Sequence, residues 1–429
     1  MVRFAYYLVL MGRTMADVAG AARRAAVKTE RNDRIAASSV IGAHSLQHAY
    51  QQGFYVILPE IYASLGLTPV GAGALETVRR VAGGVASMGG GFLLDRYQHR
   101  RIAVLYVSLV SMGLGYMLIG LAPSYVVILA AAALAGAASS IWHPAALGLL
   151  SQSYPHRRGF VVSLHRSSGS VGDVVGPLLV GGLLLVSAWQ SVMFGALPVA
   201  LLFAAALWVM LRKAPTWTVL DAPDAAPRVL RDQLRVLGTV LRSRSLLMLL
   251  VVAGLNGLGQ GGLLLWLGLY LRETQQMGSV GVGVHVALLT GFGIVAGPMI
   301  GLASDRMGRK PVIVGVLAAK SGIAVLMALT GSGLLFSALV AAMGAVMFGV
   351  NSLVQAAALD VADGRRLEGT MIGFLWGSNA VFFGASPLIV GFLIEASSWD
   401  VLFWYVAVVN FLGVLAALLL PVLHRRRVT

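Results

Sequence analysis

The sequence predicts an all-α integral membrane protein, with 12 transmembrane helices arranged as two six-helix bundles. Three observations support this fold class: the composition, a series of apolar segments and an internal repeat. The chain has 429 residues, of which 58% are hydrophobic and 11% are charged, and its mean hydropathy is +0.83. Soluble domains carry about 25% charged residues, so this chain is predicted to lie in a bilayer.

Twelve apolar segments are each long enough to cross a hydrocarbon core, which takes roughly 20 residues. The first six lie near 35–58, 73–94, 102–121, 125–149, 159–186 and 189–211. The second six lie near 245–271, 280–302, 312–330, 333–359, 369–394 and 399–421.

The two sets of segments carry the same landmarks at a constant offset of 210 residues. Asp95-Arg96 recurs as Asp305-Arg306, and the Pro177 position is matched by Pro387. A fixed offset across several segments indicates two copies of one structural unit. Such a repeat in a membrane protein often places a substrate site between the copies.

Charge predicts how the chain crosses the membrane. The predicted units are a basic N-terminal segment (1–34), two six-helix bundles (35–211 and 245–421), a linker (212–244) and a basic tail (422–429). Most of the 32 Lys and Arg residues fall outside the bundles or in alternate loops. Because short basic segments stay on the cytoplasmic side, both termini and the linker are predicted to be cytoplasmic. The net charge of +15 therefore reports topology, and no nucleic-acid partner is predicted.

The segments outside the bundles are predicted to lie at the membrane surface. Residues 4–11 are too short to span a bilayer and precede no cleavage site, so no signal peptide is predicted, and Met1, Met11 or Met15 fits as a start. In the linker, four leucines share one helical face surrounded by arginines: Leu230, Leu234, Leu237 and Leu241. This pattern predicts an amphipathic helix on the cytoplasmic leaflet, and a simple tether fits equally well.

Two loops at equivalent places carry a similar motif. The first contains Gly91, Asp95, Arg96, Arg100 and Arg101, and the second contains Gly301, Asp305, Arg306, Gly308, Arg309 and Lys310. Both resemble the signature loop of the major facilitator superfamily, although the first has Gln98 where glycine is usual. The resemblance covers about 35–421 and implies that family's fold and secondary transport.

The resemblance also implies a conformational switch. An aspartate can stabilise the positive N-terminus of a neighbouring helix, and in this family the loop aspartate of one half faces the other half. That would place Asp95 near Gly369 and Asp305 near Gly159 in the outward-open state. Ordinary loops that only set topology are the alternative.

Segment 5 carries a glycine-proline motif made of Gly169, Gly172, Gly176 and Pro177. It resembles a motif found in segment 5 of many drug:proton antiporters. The glycines let a neighbouring helix approach closely, and the proline permits a bend. A role in packing alone is the alternative.

Ionisable groups inside a span are costly and are functional candidates. Arg166 and Asp173 share one face of segment 5, about 10 Å apart along its axis. Asp173 is predicted to titrate protons or contact a cation, with a structural hydrogen bond as the alternative. Proton coupling would then rest on one of these two residues, because Ala132 stands where many proton-coupled relatives have arginine.

Segment 1 carries a polar stripe of four residues at helical spacing: His44, Gln47, His48 and Gln51. A polar stripe facing lipid would be prohibitive, so this face is predicted to line a cavity or pack on protein. Histidines four residues apart on a helix can reach one ion, so His44 and His48 are candidate metal ligands.

Three other positions are candidates within the spans. Glu76 can pair with Arg79 or Arg80, and these arginines either attract an anion into the cavity or extend to the outer surface. His143 in segment 4 is predicted near the cytoplasmic end of the pathway. Lys320 in segment 9 has no assigned role beyond extension to the surface or a partner contact.

Two stretches indicate a branch of the family. The segment 4 sequence around Trp142 and His143 resembles the fosmidomycin-resistance-type exporters. The segment 1 sequence at 45–55 is similar to the magnetosome-associated facilitators of the MamH group. That second resemblance implies an iron-related substrate for biomineralisation and residence in the inner or magnetosome membrane.

The leading functional hypothesis is a secondary active transporter of a small molecule or ion, with iron or an iron chelate as favoured cargo. Export of a small anionic drug or metabolite and a non-transporting scaffold are alternatives. The sequence has no nucleotide-binding Gly-x-x-x-x-Gly-Lys-Ser/Thr run and no cysteine. No enzyme activity or cofactor is predicted, and the expected partners are the lipid bilayer, the solute and, through coupling, protons.

Overall fold

The computed structural model describes residues 2–96, 100–154, 157–212, 238, 242–362 and 368–420. Within these ranges it describes side chains except at 2–29, 88, 91–96, 158–159, 359–362 and 368–378. The described residues form fifteen α-helices and no β-strand. The predicted linker helix, Gln98 and the tail at 422–429 lie outside the described residues.

The first half of the chain forms seven helices. They are α1 (Val2–Leu65), α2 (Pro69–Arg96), α3 (Arg101–Leu121), α4 (Tyr125–Ser153), α5 (Arg158–Leu183), α6 (Trp189–Phe194) and α7 (Ala196–Leu211). The first apolar segment is continuous with the N-terminal segment, since α1 has no break at residue 35. The sixth segment is divided at Gly195, so α6 and α7 together occupy one predicted span.

The second half repeats this order. Its helices are α8 (Arg244–Glu273), α9 (Ser279–Gly291), α10 (Gly293–Met307), α11 (Arg309–Thr330), α12 (Gly333–Met347), α13 (Gly349–Ala362), α14 (Glu368–Ala396) and α15 (Val401–Leu418). Two predicted spans are divided, one at Phe292 and the other at Phe348. Gly308, at φ +94°, makes the turn between α10 and α11, a conformation that other residues rarely adopt.

Nine stretches of the described residues are long and apolar enough to cross a membrane. Helices α1, α2 and α5 are not among them. These three carry the polar stripe, the Glu76–Arg80 group and Asp173, and these polar side chains lower their hydropathy. The three helices that fall short of this criterion are therefore the ones that carry most of the candidate site residues.

Glycines allow the helices of the first half to pack closely. Helix α1 lies along α5, and α2 lies along α4. A Cβ at Gly172 would overlap the carbonyl oxygen of Ser45, and one at Gly176 would overlap that of Ala49. Because no side chain fits at these positions, α1 and α5 approach backbone to backbone beside the polar stripe.

The two halves meet along two helix pairs, α2 with α14 and α5 with α9. At one end of this seam the Val70 amide donates to Oε1 of Glu395 at 2.9 Å, and the Ser279 hydroxyl donates to the Gly181 carbonyl at 3.0 Å. These residues adjoin the turns that follow α1, α5 and α8. The seam therefore closes the end of the molecule opposite to the one from which the 212–244 linker leaves.

Candidate substrate site

Four histidine rings meet where α1, α4 and α5 converge. The ring of His44 stacks on that of His165 with centroids 3.7 Å apart, and it lies edge-on to His48 at 4.5 Å and to His143 at 5.2 Å. The sequence placed His44 and His48 on one face of α1. The structure adds His143 from α4 and His165 from α5, which sequence spacing could not bring together.

Hydrogen bonds at Nδ1 set the tautomers of His44 and His48. Nδ1 of His44 lies 2.7 Å from the backbone carbonyl oxygen of His165, and Nδ1 of His48 lies 2.8 Å from Oδ1 of Asp173. A carbonyl or carboxylate oxygen only accepts a hydrogen bond, so Nδ1 carries the hydrogen in each ring. In the neutral rings, both Nε2 atoms therefore keep a free lone pair.

Ring nitrogens of three of the histidines lie at the spacing of a metal site. Nε2 of His44 is 3.4 Å from Nε2 of His143, and one ring nitrogen of each of His44, His48 and His143 lies within 4.8 Å of the others. Two nitrogens bound to one tetrahedral metal at about 2.0–2.1 Å are roughly 3.4 Å apart. Carbonyl and carboxylate acceptors at the far nitrogen are typical of histidines that bind metals.

Gln47 and Gln51 complete the polar stripe by bonding to α4. The Gln47 amide donates to the Ser139 carbonyl and, at 2.9 Å, to the Ser139 hydroxyl. The Gln51 amide donates to the same hydroxyl at 2.6 Å. The stripe thus faces protein, and its glutamines hold α1 against α4 one turn away from the histidines.

Asp173 connects the histidine cluster to the seam between the halves. Its carboxylate bonds to His48, and its backbone carbonyl accepts a hydrogen bond from the Thr290 hydroxyl on α9 at 2.8 Å. The side chains of His48 and Asp173 are 24% and 15% exposed, so solvent reaches this pair. Arg166, at the start of the same face of α5, is exposed and has no hydrogen bond to a described residue.

A second charged group lies inside the first half. Arg79 Nε donates to Oε2 of Glu76 at 2.7 Å, Arg80 Nε donates to Oε1 at 2.6 Å, and the Tyr55 hydroxyl donates to the same Oε1 at 2.8 Å. The side chains of Glu76 and Arg79 are only 1% and 2% exposed. The structure therefore does not extend these side chains to the outer surface, one of the two expectations from sequence. It leaves one net positive charge in the interior.

The Arg80 side chain also contacts the other half of the chain. Its guanidinium carbon lies 4.6 Å from the ring centroid of Phe383 on α14, a cation–π contact across the seam. A Cβ at Gly384 would lie 3.3 Å from Cβ of Arg80, so the two helices are in close contact here.

The predicted switch loops are described in part. Asp305 accepts a hydrogen bond from Arg309 of its own loop at 2.7 Å, and Lys310 donates to the Leu420 carbonyl at 2.6 Å. Arg306 is exposed, while Arg101 is buried against Gly148 of α4. The side chains of Asp95 and its neighbours at 91–96 are outside the described residues, as are the surroundings of Gly159 and Gly369.

One polar cluster was not recognised from sequence. Lys320, in the middle of α11, is 1% exposed and donates from Nζ to Oδ1 of Asn256 on α8 at 2.6 Å. The expectation that the Lys320 side chain extends to the surface is therefore wrong. Segment hydropathy did not predict the contact, because the amide partners lie on other helices and have no diagnostic spacing.

Comparison with known proteins identifies the family to which this architecture belongs. Residues 40–376 and 294–429 match the family model described as Major Facilitator Superfamily. The fold is similar to the crystal structure of a bacterial homologue of the human lysosomal transporter Spinster in an inward-facing, unoccupied conformation. The TM-score is 0.72 at 14% identity, with 91% of this chain and 95% of that chain covered.

Two relatives span nearly the whole chain. An MFS-type transporter of Bacillus subtilis (strain 168), YfnC, is 25% identical over 387 residues, covering 89% of this chain and 91% of the relative. The fosmidomycin resistance protein of Escherichia coli (strain K12) is 22% identical over 400 residues, covering 89% of this chain and 92% of the relative.

Proposed function

Because the chain belongs to the major facilitator superfamily, we propose that it is a secondary active transporter working by alternating access between its two halves. Twelve transmembrane segments and cytoplasmic termini accompany this proposal. It is supported by the repeat at an offset of 210 residues, by the basic residues at both ends of the 212–244 linker and by the nine apolar stretches. Membership of this family makes the chain a multi-pass membrane protein, and residence in the bacterial inner membrane or the magnetosome membrane is part of the proposal.

The proposed cargo is a divalent transition-metal ion, with iron(II) or an iron chelate favoured. The single observation that supports this cargo best is the short distance between His44 and His143, whose Nε2 atoms are 3.4 Å apart. Imidazole suits iron, zinc and copper but not magnesium or calcium. A cargo site needs fewer fixed ligands than a resident one, since the ion must leave again, and three histidines leave a coordination position open.

The closed seam suggests from which side of the membrane the proposed site is reached in the described conformation. With cytoplasmic termini, the contacts at Val70 and Ser279 lie on the outer side. His44 and His165 precede His48 and Asp173 along α1 and α5, so they lie on the cytoplasmic side of the seam contact at Thr290. The described conformation is then open to the cytoplasm, and release of the ion inward is the next step.

Export of a small anionic drug or metabolite is the second candidate. The net positive charge of the Glu76, Arg79 and Arg80 group favours it, because an anion near Arg80 would balance that charge. The fosmidomycin resistance relative is similar over nearly its full length. A non-transporting scaffold is a third candidate, and it predicts that no variant of the histidine cluster affects any solute flux.

The deciding experiment is metal uptake by proteoliposomes that contain the purified protein. Radioactive iron(II), kept reduced with ascorbate, is supplied outside, and zinc and manganese are tested as competitors. Wild-type protein is expected to show saturable uptake, and His143→Gln is expected to reduce its rate at least tenfold. The physical reason is that His143 is placed to bind the ion through Nε2, which glutamine cannot replace at the same geometry.

His285→Gln is the matched control. His285 lies in the second half, where its Nδ1 is 2.8 Å from the Gly281 carbonyl oxygen and its Nε2 is 2.8 Å from the Ser337 hydroxyl. Uptake is expected to persist in this variant. Equal rates in wild type, His143→Gln and protein-free vesicles would refute the metal cargo. Fosmidomycin resistance of cells expressing the protein, lost in Arg80→Gln, would then support the anionic cargo.

A further inference from the structure

Lys320 is a buried basic group that the proposed metal site does not use. Its Nζ contacts Oδ1 of Asn256, which is itself 0% exposed. An ammonium has three hydrogens to donate and is expensive to bury without a carboxylate. Among the described residues, Asn256 is the one acceptor within hydrogen-bond distance of this nitrogen, and an amide is neutral.

Titratable and charged groups on the surrounding helices are remote from Lys320. Helix α12 has none, and α15 has Tyr405, whose hydroxyl bonds to Ser386 at 2.9 Å. The others on α8, α10 and α11 lie at helix ends: Arg244, Arg272, Glu273, Asp305, Arg306, Arg309 and Lys310, with Tyr270 one turn from the end of α8. Lys320 is 11 residues from Arg309, about 16 Å along the helix. Asp360 on α13 and Glu368 on α14 lie outside the described side chains, and Glu395 is near the far end of α14.

A chain of amides connects Lys320 with partly exposed residues of α13 and α14. Asn256 donates to Oδ1 of Asn351 at 2.7 Å, and Asn351 donates to Oε1 of Gln260 at 3.2 Å. Asn379 donates to the Ala253 carbonyl at 3.1 Å and lies 3.4 Å from Oδ1 of Asn351. Asn351 and Asn379 are partly exposed, whereas Lys320 and Asn256 are not, so solvent meets the network at its Asn351 end.

The internal repeat places this network opposite the histidines. Asn379 is 210 residues after Gly169, the residue whose Cβ would lie 2.8 Å from Cε1 of His44. The three helices that supply the amides, α8, α13 and α14, are the repeat counterparts of α1, α4 and α5. Each half therefore presents a polar cluster from equivalent helices, with histidines in one and a lysine-amide network in the other.

We propose that Lys320 is a proton-binding site, an uncharged amine in this conformation that takes a proton from water through the Asn351 end of the network at another stage of the cycle. The step transfers one proton from a water-borne donor to the Nζ lone pair and reverses when the site is dehydrated. This role rests on alternating access as proposed above, but the state of the amine does not depend on the cargo. A positively charged Lys320 would repel a metal ion at the histidines. The proton and the metal ion would then bind at different stages of the cycle, as exchange of one for the other requires.

The chain offers a direct test because it has four lysines: Lys28, Lys213, Lys310 and Lys320. Protein labelled with ¹³C at lysine Cε and held in lipid nanodiscs gives one NMR signal per lysine, and the shift distinguishes amine from ammonium. At pH 8.5, one signal is expected to have the amine shift and to become ammonium reversibly on acidification. The other three should remain ammonium until about pH 10, the ordinary range for lysine.

Lys320→Met is expected to remove only the amine signal. Should this variant fail to fold, a protein with Lys28→Arg, Lys213→Arg and Lys310→Arg keeps Lys320 as its single lysine and gives the same reading. Four signals that all turn to amine together near pH 10 would overturn the proposal. Because this measurement needs no cargo, its outcome tests the Lys320 proposal independently of the metal-uptake experiment. Where uptake is found, Lys320→Met should lose its stimulation by a pH gradient and retain metal-for-metal exchange.

Discussion

Nδ1 of His48 lies 2.8 Å from Oδ1 of Asp173, so an imidazole of the candidate metal site is in direct contact with a residue of the inter-half seam. The Asp173 carbonyl accepts a hydrogen bond from Thr290 of the other half. A change in the charge of His48 therefore acts on the residue whose own backbone carbonyl bonds to the other half of the chain. If the proposed metal binds at the histidines, this arrangement predicts that metal occupancy and closure depend on each other.

Asp173→Asn is expected to weaken metal binding by about 10- to 100-fold, the usual cost of losing the carboxylate behind a ligating histidine. An amide can still accept from Nδ1 of His48, but it lacks the negative charge that makes Nε2 a stronger ligand. The measurement is the dissociation constant for zinc or iron(II) in detergent, obtained by competition with a fluorescent chelator.

Asp305→Asn is the control for that measurement, since Asp305 is exposed and lies in the last turn of α10, away from the histidines. Its affinity should match that of wild type. If Asp173→Asn binds the metal as tightly as wild type does, the Asp173 contact is only a packing interaction.

Gly172→Ala is expected to destabilise the first half by about 1–3 kcal/mol, the cost of inserting a methyl group into a filled interface. The new Cβ would overlap the Ser45 carbonyl oxygen and push α1 away from α5. Gly182→Ala in the same helix is the matched control, because nothing lies within 4 Å of the Cβ it would add. Thermal unfolding in detergent should show a lower Tm for the first variant, and equal values would contradict the packing argument.

The sequence predicted the helical architecture well because hydropathy and the 210-residue offset are local or simply periodic signals. It also placed His44 and His48 on one face, since helical spacing is local too. It could not bring His143 or His165 to them, because helix crossings depend on where glycines permit contact. The divisions at Gly195, Phe292 and Phe348 were missed, although each lies at or beside a glycine, because glycine is frequent inside membrane helices and does not by itself mark a break.

Phe383→Leu is expected to weaken the outer closure by removing the face on which the Arg80 guanidinium lies. A cation–π contact is worth about 0.5–2 kcal/mol, which corresponds to a roughly 2- to 30-fold change in the ratio of closed to open forms. Since the chain has no cysteine, spin labels can be placed at Ser64→Cys and Ser398→Cys across the seam. Pulsed EPR should show longer distances in Phe383→Leu than in Phe392→Leu, a change at an exposed residue of the same helix. Identical distributions would exclude a role for this contact in closure.

Asp305→Asn is expected to slow transport several-fold while substrate binding stays unchanged. In the described conformation the Asp305 carboxylate lies 2.7 Å from the guanidinium of Arg309, and its side chain is 40% exposed. Among the described residues, Arg309 is its one ion-pair partner. The proposed switch brings it to the N-terminus of α5 at Gly159 when the outer side opens, where a negative charge is favourable by about 0.3–1 kcal/mol and by up to about 2 when partly buried. The asparagine loses that stabilisation in one conformation only, so the interconversion slows although the site is intact.

Glu30→Gln provides the comparison for this last variant, because Glu30 also pairs with an arginine four residues away, Arg34, and this pair is more exposed than that of Asp305. Surface ion pairs of this kind contribute little, so Glu30→Gln should transport at the wild-type rate. Initial uptake rates and equilibrium metal binding are measured on the same preparations. A slower rate with unchanged affinity in Asp305→Asn alone supports the switch. A rate equal to that of Glu30→Gln means that the loop only sets the topology of the chain.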